Sequence, residues 1–244
     1  MPQPVVLAAR VSAPKESQTP RSELLCAIAP VDPSSQTQCV DDAFARLKLP
    51  RRPYLDSEEL KERYLECIKS AHPDGEANPL STEHPAEDAA AEINRAREIL
   101  ANEVHRIAHF LLLETGSDVT QHRVVPDGLA DFFMRLSPLF NQADSLAQGI
   151  REEASPILKA QLYMSASHLL SKLSEIQSEL QSQCNQARQE LIEADRKWIQ
   201  GSSASTEQTR VQVLETLAGV YQRLSFLNRW LNTLHERRFE LTPG

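Results

Sequence analysis

Glycine, tyrosine and paired cysteine are scarce in this chain. Seven glycines and four tyrosines are too few for an all-β fold, which needs many tight turns and β-rich strands. The four cysteines, at 26, 39, 67 and 184, form no C-x-x-C pair, so neither a zinc ribbon nor a disulfide framework is supported. They read as small apolar residues of a reducing compartment. No run of five like charges occurs and the net charge is −8, which argues against a broad basic face for nucleic acid. No apolar run approaches the roughly 18 residues of a membrane span. There is no glycine-rich phosphate loop and no H-E-x-x-H pattern, so an enzyme reading has almost no support.

What the chain does have is helix-forming sequence. It is 244 residues long, enough for one large or two small domains with a real core. Its later two-thirds is rich in Leu, Ala, Glu, Gln, Arg and Ser, residues of helices and their caps. Residues 1–38 are rich in Pro, Ser, Gln and Ala and read as a disordered tail. They lack the apolar core of a secretory signal. Arg10, Lys15 and Arg21 would suit a mitochondrial transit peptide, but Glu16 and Glu23 oppose it.

From residue 39 the pattern is helical. Asp41 or Asp42 caps a short helix carrying Phe44 and Leu47, and Pro50 and Pro53 then break the chain. Asp56 with Glu59 forms a capping box. The helix it opens has an apolar stripe of Leu60, Tyr64, Cys67 and Ala71 and runs into His72-Pro73-Asp74. Proline disfavours helix at the residue before it, so the triplet marks a helix end. A polar loop leads to a third helix with Ala89, Ile93, Ala96 and Leu100 on its buried face. The two helices should pack antiparallel. A fourth, "EVHRIAHFLLLETG", ends at Gly116, a natural C-cap.

After a linker over 117–126, Ser137-Pro138 and Ser155-Pro156 each read as an N-cap and first helical residue. One stripe runs Leu158, Leu162, Leu169, Leu173, Ile176, Leu180, Ala187, Leu191, Ala194, Trp198. "GSSAST" breaks it. The last helix carries Leu214, Leu217, Tyr221, Leu224, Leu227, Leu231 and Leu234. The rhythm of three and four is that of bundle helices. The predicted fold is all-α: an N-terminal helical hairpin followed by an antiparallel three-helix bundle with long helices.

Physically, proline fixes the direction of the chain and Asp74 presents a carboxylate at a hairpin tip. Such a group can take a charge-assisted, bidentate bond from a partner arginine. Histidine can hold the tip in shape. His105 and His109, four apart, could meet a metal on one helix face, but no carboxylate or cysteine completes a site. Cys67 falls in an apolar stripe, where thiols are usually inert.

The second helix, the His72-Pro73-Asp74 tip, Tyr64, Asn94, Leu100 and "INRAREIL" resemble a J-domain. "HRIAHFLLLETG" resembles the segment closing the J-domain of HscB-type co-chaperones. The resemblance covers about residues 40–116; beyond 127 it is one of architecture. It implies a J-domain over 39–116, a linker over 117–126 and a client-binding bundle over 127–244. It implies contact with a DnaK/HscA-type chaperone, whose ATPase is stimulated, through His72, Pro73 and Asp74 with Lys61, Arg63 and Lys69. It implies delivery of an iron–sulfur cluster assembly scaffold (IscU-like) as client, held by Phe132, Phe133 and Met134, which resemble the family's client patch. Three large apolar residues on one helix also read as core. No cofactor is called for, and the implied location is cytoplasmic, with the mitochondrial matrix as the alternative. The chain departs from the family at Gly75, where lysine is usual, and at Arg97, where an aromatic is common. The outer face of the second helix mixes Glu62, Leu65, Glu66 and Lys69. A helical scaffold that keeps a J-like hairpin without stimulating a chaperone is the competing reading.

Overall fold

The computed structural model describes residues 41–71, 85–121, 125–204 and 207–242. The N-terminal tail and the His72-Pro73-Asp74 triplet lie outside these residues. All regular structure among the described residues is helical: α1 (Ala43–Arg46), α2 (Ser57–Ala71), α3 (Pro85–Ala101), α4 (Glu103–Thr115), α5 (Ala130–Glu152), α6 (Pro156–Ala204) and α7 (Glu207–Leu241). Short 3-10 turns at Val119–Gln121 and Asp127–Leu129 lead from α4 into α5. No described helix is long and apolar enough to cross a membrane.

The helix ends follow local chemistry. The Asp42 side chain accepts the Phe44 and Ala45 N–H groups and caps α1. Asp56 accepts from Glu58 and Glu59 at 2.9 and 3.3 Å and starts α2. Asn102 accepts from Val104 and His105 and starts α4 directly behind α3. Gly116, at φ 69°, ends α4; a side chain there would be strained in the left-handed region. Pro156 is the first residue of α6, as its Ser-Pro signature predicts.

Ser137-Pro138 does not begin a helix. Pro138 lies inside the 23-residue α5. It cannot donate to the Met134 carbonyl one turn back, yet burial of Leu136, Ala143, Ala147 and Ile150 along one stripe carries the helix through. Helix α6 likewise continues to Ala204, so the start of the glycine-serine stretch stays helical.

The core has two parts, joined by the α6–α7 hairpin. These helices run antiparallel, with Arg223 bonded to Glu190 and Arg238 to Gln177. At one end, α5 completes a three-helix bundle around Leu136, Leu169, Leu173, Leu180, Leu227 and Leu234. At the other, Ala187, Leu191, Ala194, Leu217 and Leu224 share one core with Phe44, Leu47, Leu60, Leu100, Ile107 and Phe110. The N-terminal helices are therefore fused to the far end of the long hairpin. Each fully buried leucine contributes about 2 kcal/mol, so this shared core is a strong joint.

Candidate functional site

Helix α2 is held on α3 by its half-buried Tyr64. The Tyr64 hydroxyl donates to Asn94 Oδ1 at 2.9 Å. Arg97 lies over the Tyr64 ring, 4.7 Å from its centroid. Arg97 thus packs on the tyrosine as a cation–π partner. Leu60 and Cys67 are buried beside it, and the Cys67 thiol donates to the Arg46 carbonyl. Arg46 also binds Glu92, tying α1 to α3. Helix α2 reaches Ala71, the residue before His72.

Lys61, Arg63 and Lys69 are all exposed, but α2 does not gather them into one patch. Lys61, Leu65 and Lys69 are four apart and share the outer face, whereas Arg63 stands on the opposite flank. Carboxylates sit beside two of the three: Glu58 lies 3.5 Å from Lys61 and Glu66 lies 3.0 Å from Arg63. Such exposed pairs are weak and can be exchanged for a partner's carboxylates. Leu65 is an exposed apolar residue between the two lysines.

Sequence reasoning did not find the polar groups that fix this hairpin to the bundle. Arg106 is buried, donating to the carbonyls of Pro53 and Leu100; burial lowers its pKa. It locks the chain before α2 to the end of α3. Asp195 of α6 is buried, pairs with Arg52 at 2.6 Å and faces the Tyr54 N–H at 3.4 Å. Its bond raises the Arg52 pKa. Arg188 of α6 grips Glu103 at 2.7 and 2.9 Å and lowers that carboxyl's pKa. Trp198 meets Phe110 edge-on at 5.0 Å, and Arg210 covers its ring while pairing with Glu114. Only the buried polar residues in apolar stripes, Arg106 and Asp195, carried a readable signal.

The second candidate region splits. Phe132 packs against the bundle core, in line with the core reading of these residues. Phe133 and Met134 are 52% and 70% exposed. Arg135 binds Glu179 through two bonds of 2.8 Å and fixes the start of α5 on α6; its pKa is raised by that carboxylate. Two large apolar side chains thus stand in solvent on a pinned helix, which is unusual for residues of this size.

The histidine pair does not converge. His105 is exposed, while His109 Nε2 accepts the Ala43 N–H at 3.1 Å and its ring stacks on Phe44. His109 is a helix cap for α1, and burial lowers its pKa. No group of three potential metal ligands occurs among the described residues.

No protein-family model matches the chain. A curated protein, the co-chaperone protein HscB homolog of Mannheimia succiniciproducens, is 37% identical over 78 residues, which are 32% of this chain and 45% of that protein. The match thus spans less than half of the relative's length. Among solved structures, the chaperone HscB from Vibrio cholerae is similar at 19% identity, with a TM-score of 0.44 over 82% of this chain and 99% of that one. The curated match supports the resemblance read from the motifs: this chain is related to the HscB-type co-chaperones.

Proposed function

We propose that this chain is a two-handed co-chaperone. One hand, over 39–116, acts as a J-domain: Asp74, with His72 and Pro73, contacts an arginine of a DnaK/HscA-type chaperone and stimulates its ATPase. Lys61 and Lys69 flank Leu65 on the docking face, with Arg63 at its edge. The other hand, over 127–244, holds a client on Phe133 and Met134, with the partly buried Phe132 beside them. The client is an iron–sulfur cluster assembly scaffold of the IscU-like kind, and the setting is cytoplasmic, with the mitochondrial matrix as the alternative.

The observation that carries this reading is the α2–α3 hairpin. Its Tyr64–Asn94–Arg97 clasp holds α2 against α3 along the stretch that ends at Ala71. The curated match to an HscB homolog supports it. The shared core and the Arg52–Asp195 pair support a mechanistic corollary. Hairpin and bundle move as one body, so a bound client is held at a high effective concentration beside the chaperone.

The test is single-turnover ATP hydrolysis by the host's DnaK-type chaperones, with and without this protein and its Asp74→Asn variant. Stimulation that the variant loses supports the proposal. Absence of stimulation with every host chaperone favours the second reading, a helical scaffold retaining a J-like hairpin. The observation on that side is the neutralised face of α2, where Glu58 and Glu66 accompany Lys61 and Arg63.

A further inference from the structure

A cavity of about 580 Å³ opens where the helical hairpin meets the bundle. It is walled by the chain before α2, the first turns of α2 and α4, the end of α3, and Asn228 of α7. Leu55 and Leu60, both buried, give it an apolar side. Its size falls within the range of small-molecule sites.

The charges around it do not cancel. Lys61, Arg97 and Arg106 line it together with Glu58 and Glu103. Glu103 is already taken: Arg188 grips its carboxylate at 2.7 and 2.9 Å. That contact lines a second cavity, of about 420 Å³, which shares Glu103 and Arg106 with the first. Glu58 lies 3.5 Å from Lys61. Arg97 rests on the Tyr64 ring. Arg106 donates to the Pro53 and Leu100 carbonyls through Nε and Nη1. Among the described residues neither arginine has an ion-pair partner, and Arg106 Nη2 has no acceptor.

Arg106 is only 7% exposed. A buried cation is costly unless an anion meets it. The chain has 34 acidic residues against 26 Lys and Arg, so carboxylates are not in short supply. Two arginines without a carboxylate on one cavity point to an anion that comes from outside the chain. The starts of α2 and α4 add the positive ends of two helix dipoles.

We propose that this cavity binds a small organic phosphate, its phosphoryl group on Arg106 and Arg97 and its organic part against Leu55 and Leu60. Two guanidinium groups and two helix starts match a dianion better than a single carboxylate. The volume exceeds what a bare phosphate fills. Hairpin residues and Asn228 of α7 share the cavity, so the ligand clasps the two parts of the molecule and stabilises the fold.

Calorimetric titration of the full chain with AMP and with glycerol 3-phosphate tests this, with inorganic phosphate and adenosine alongside. The expected result is saturable binding of one ester molecule per chain and a rise in Tm. Arg97→Gln should weaken binding about tenfold or more, as loss of a charge-assisted bond does. Ser57→Asp adds a carboxylate at the cavity but suits the first turn of α2, so the fold should hold while binding vanishes. Arg106 stays in place because it also holds two carbonyls. Absence of saturable binding by both esters overturns the proposal. So does binding that neither variant weakens, or inorganic phosphate or adenosine binding as tightly as the esters. No chaperone enters these measurements, so this proposal and the co-chaperone reading fail separately.

Discussion

Arg52 and Asp195 are 143 residues apart in sequence, and their side chains meet at 2.6 Å. The Asp195 side chain is 3% exposed, and that of Arg52 is 32% exposed. This pair closes the joint between the N-terminal helices and the long hairpin. Removing Asp195 leaves Arg52 and the Tyr54 N–H without their acceptor. Asp195→Ala should cost about 3 kcal/mol, the scale for breaking a largely buried pair. Urea unfolding followed by tryptophan fluorescence reads this, because Trp198 sits at the same joint. A loss within error would show that the joint rests on its apolar core alone.

His109 makes the N-terminal helices sensitive to acid. Burial lowers its pKa from 6.5, outweighing the nearby Asp42 and Asp41 carboxylates, and Arg51 lowers it further. The unfolded chain then binds this proton more readily than the folded one. Stability is full above pH 6.5 and is lost as pH falls below it, because His109⁺ cannot accept the Ala43 N–H. His109→Gln, which keeps an acceptor and does not titrate there, should flatten thermal stability between pH 7 and 5. Equal slopes for the two proteins would remove His109 as the cause.

Tyr64 and Arg97 should be energetically coupled. A double-mutant cycle of Tyr64→Leu and Arg97→Ala is expected to give about 0.5–1 kcal/mol, the range for an accessible cation–π pair. Additive losses would mean that the contact only records proximity.

Phe132, Phe133 and Met134 should separate under substitution. Phe133→Ser and Met134→Ser are expected to change stability by no more than about 0.5 kcal/mol, being exposed, and to abolish client capture in a pull-down. Phe132→Ala should destabilise the bundle by about 2 kcal/mol or more. Retained capture in both exposed variants would move the client site elsewhere.

Pro138 stands in the interior of α5, where it leaves the Met134 carbonyl without its helical donor. Pro138→Ala restores that donor and should raise the unfolding free energy by about 1–3 kcal/mol. A decrease would mean that the proline fixes a bend on which the α5–α6 packing depends.

Local chemistry was legible wherever one short window decides the outcome. Asp56 and Gly116 act on backbone groups within four residues of themselves, so their capping roles followed from spacing. The stripe from Leu169 to Ala194 repeats every three or four residues, so its inward face followed too. Ser137-Pro138 misled for the same reason. Its local preference for a helix start was overruled by burial of Leu136, Ala143 and Ile150 on either side.

By itself, then, the sequence determined the all-helical class, the caps at Asp56 and Gly116, the inward stripe from Leu169 to Ala194 and the J-like order of the first helices, because each depends on neighbours along the chain. Tertiary structure alone decided that Arg52 reaches Asp195, that His109 caps α1, and that Phe132 is sheltered while Met134 is exposed. These are contacts between segments far apart in sequence, and they arise only when the apolar faces of several helices compete for one core.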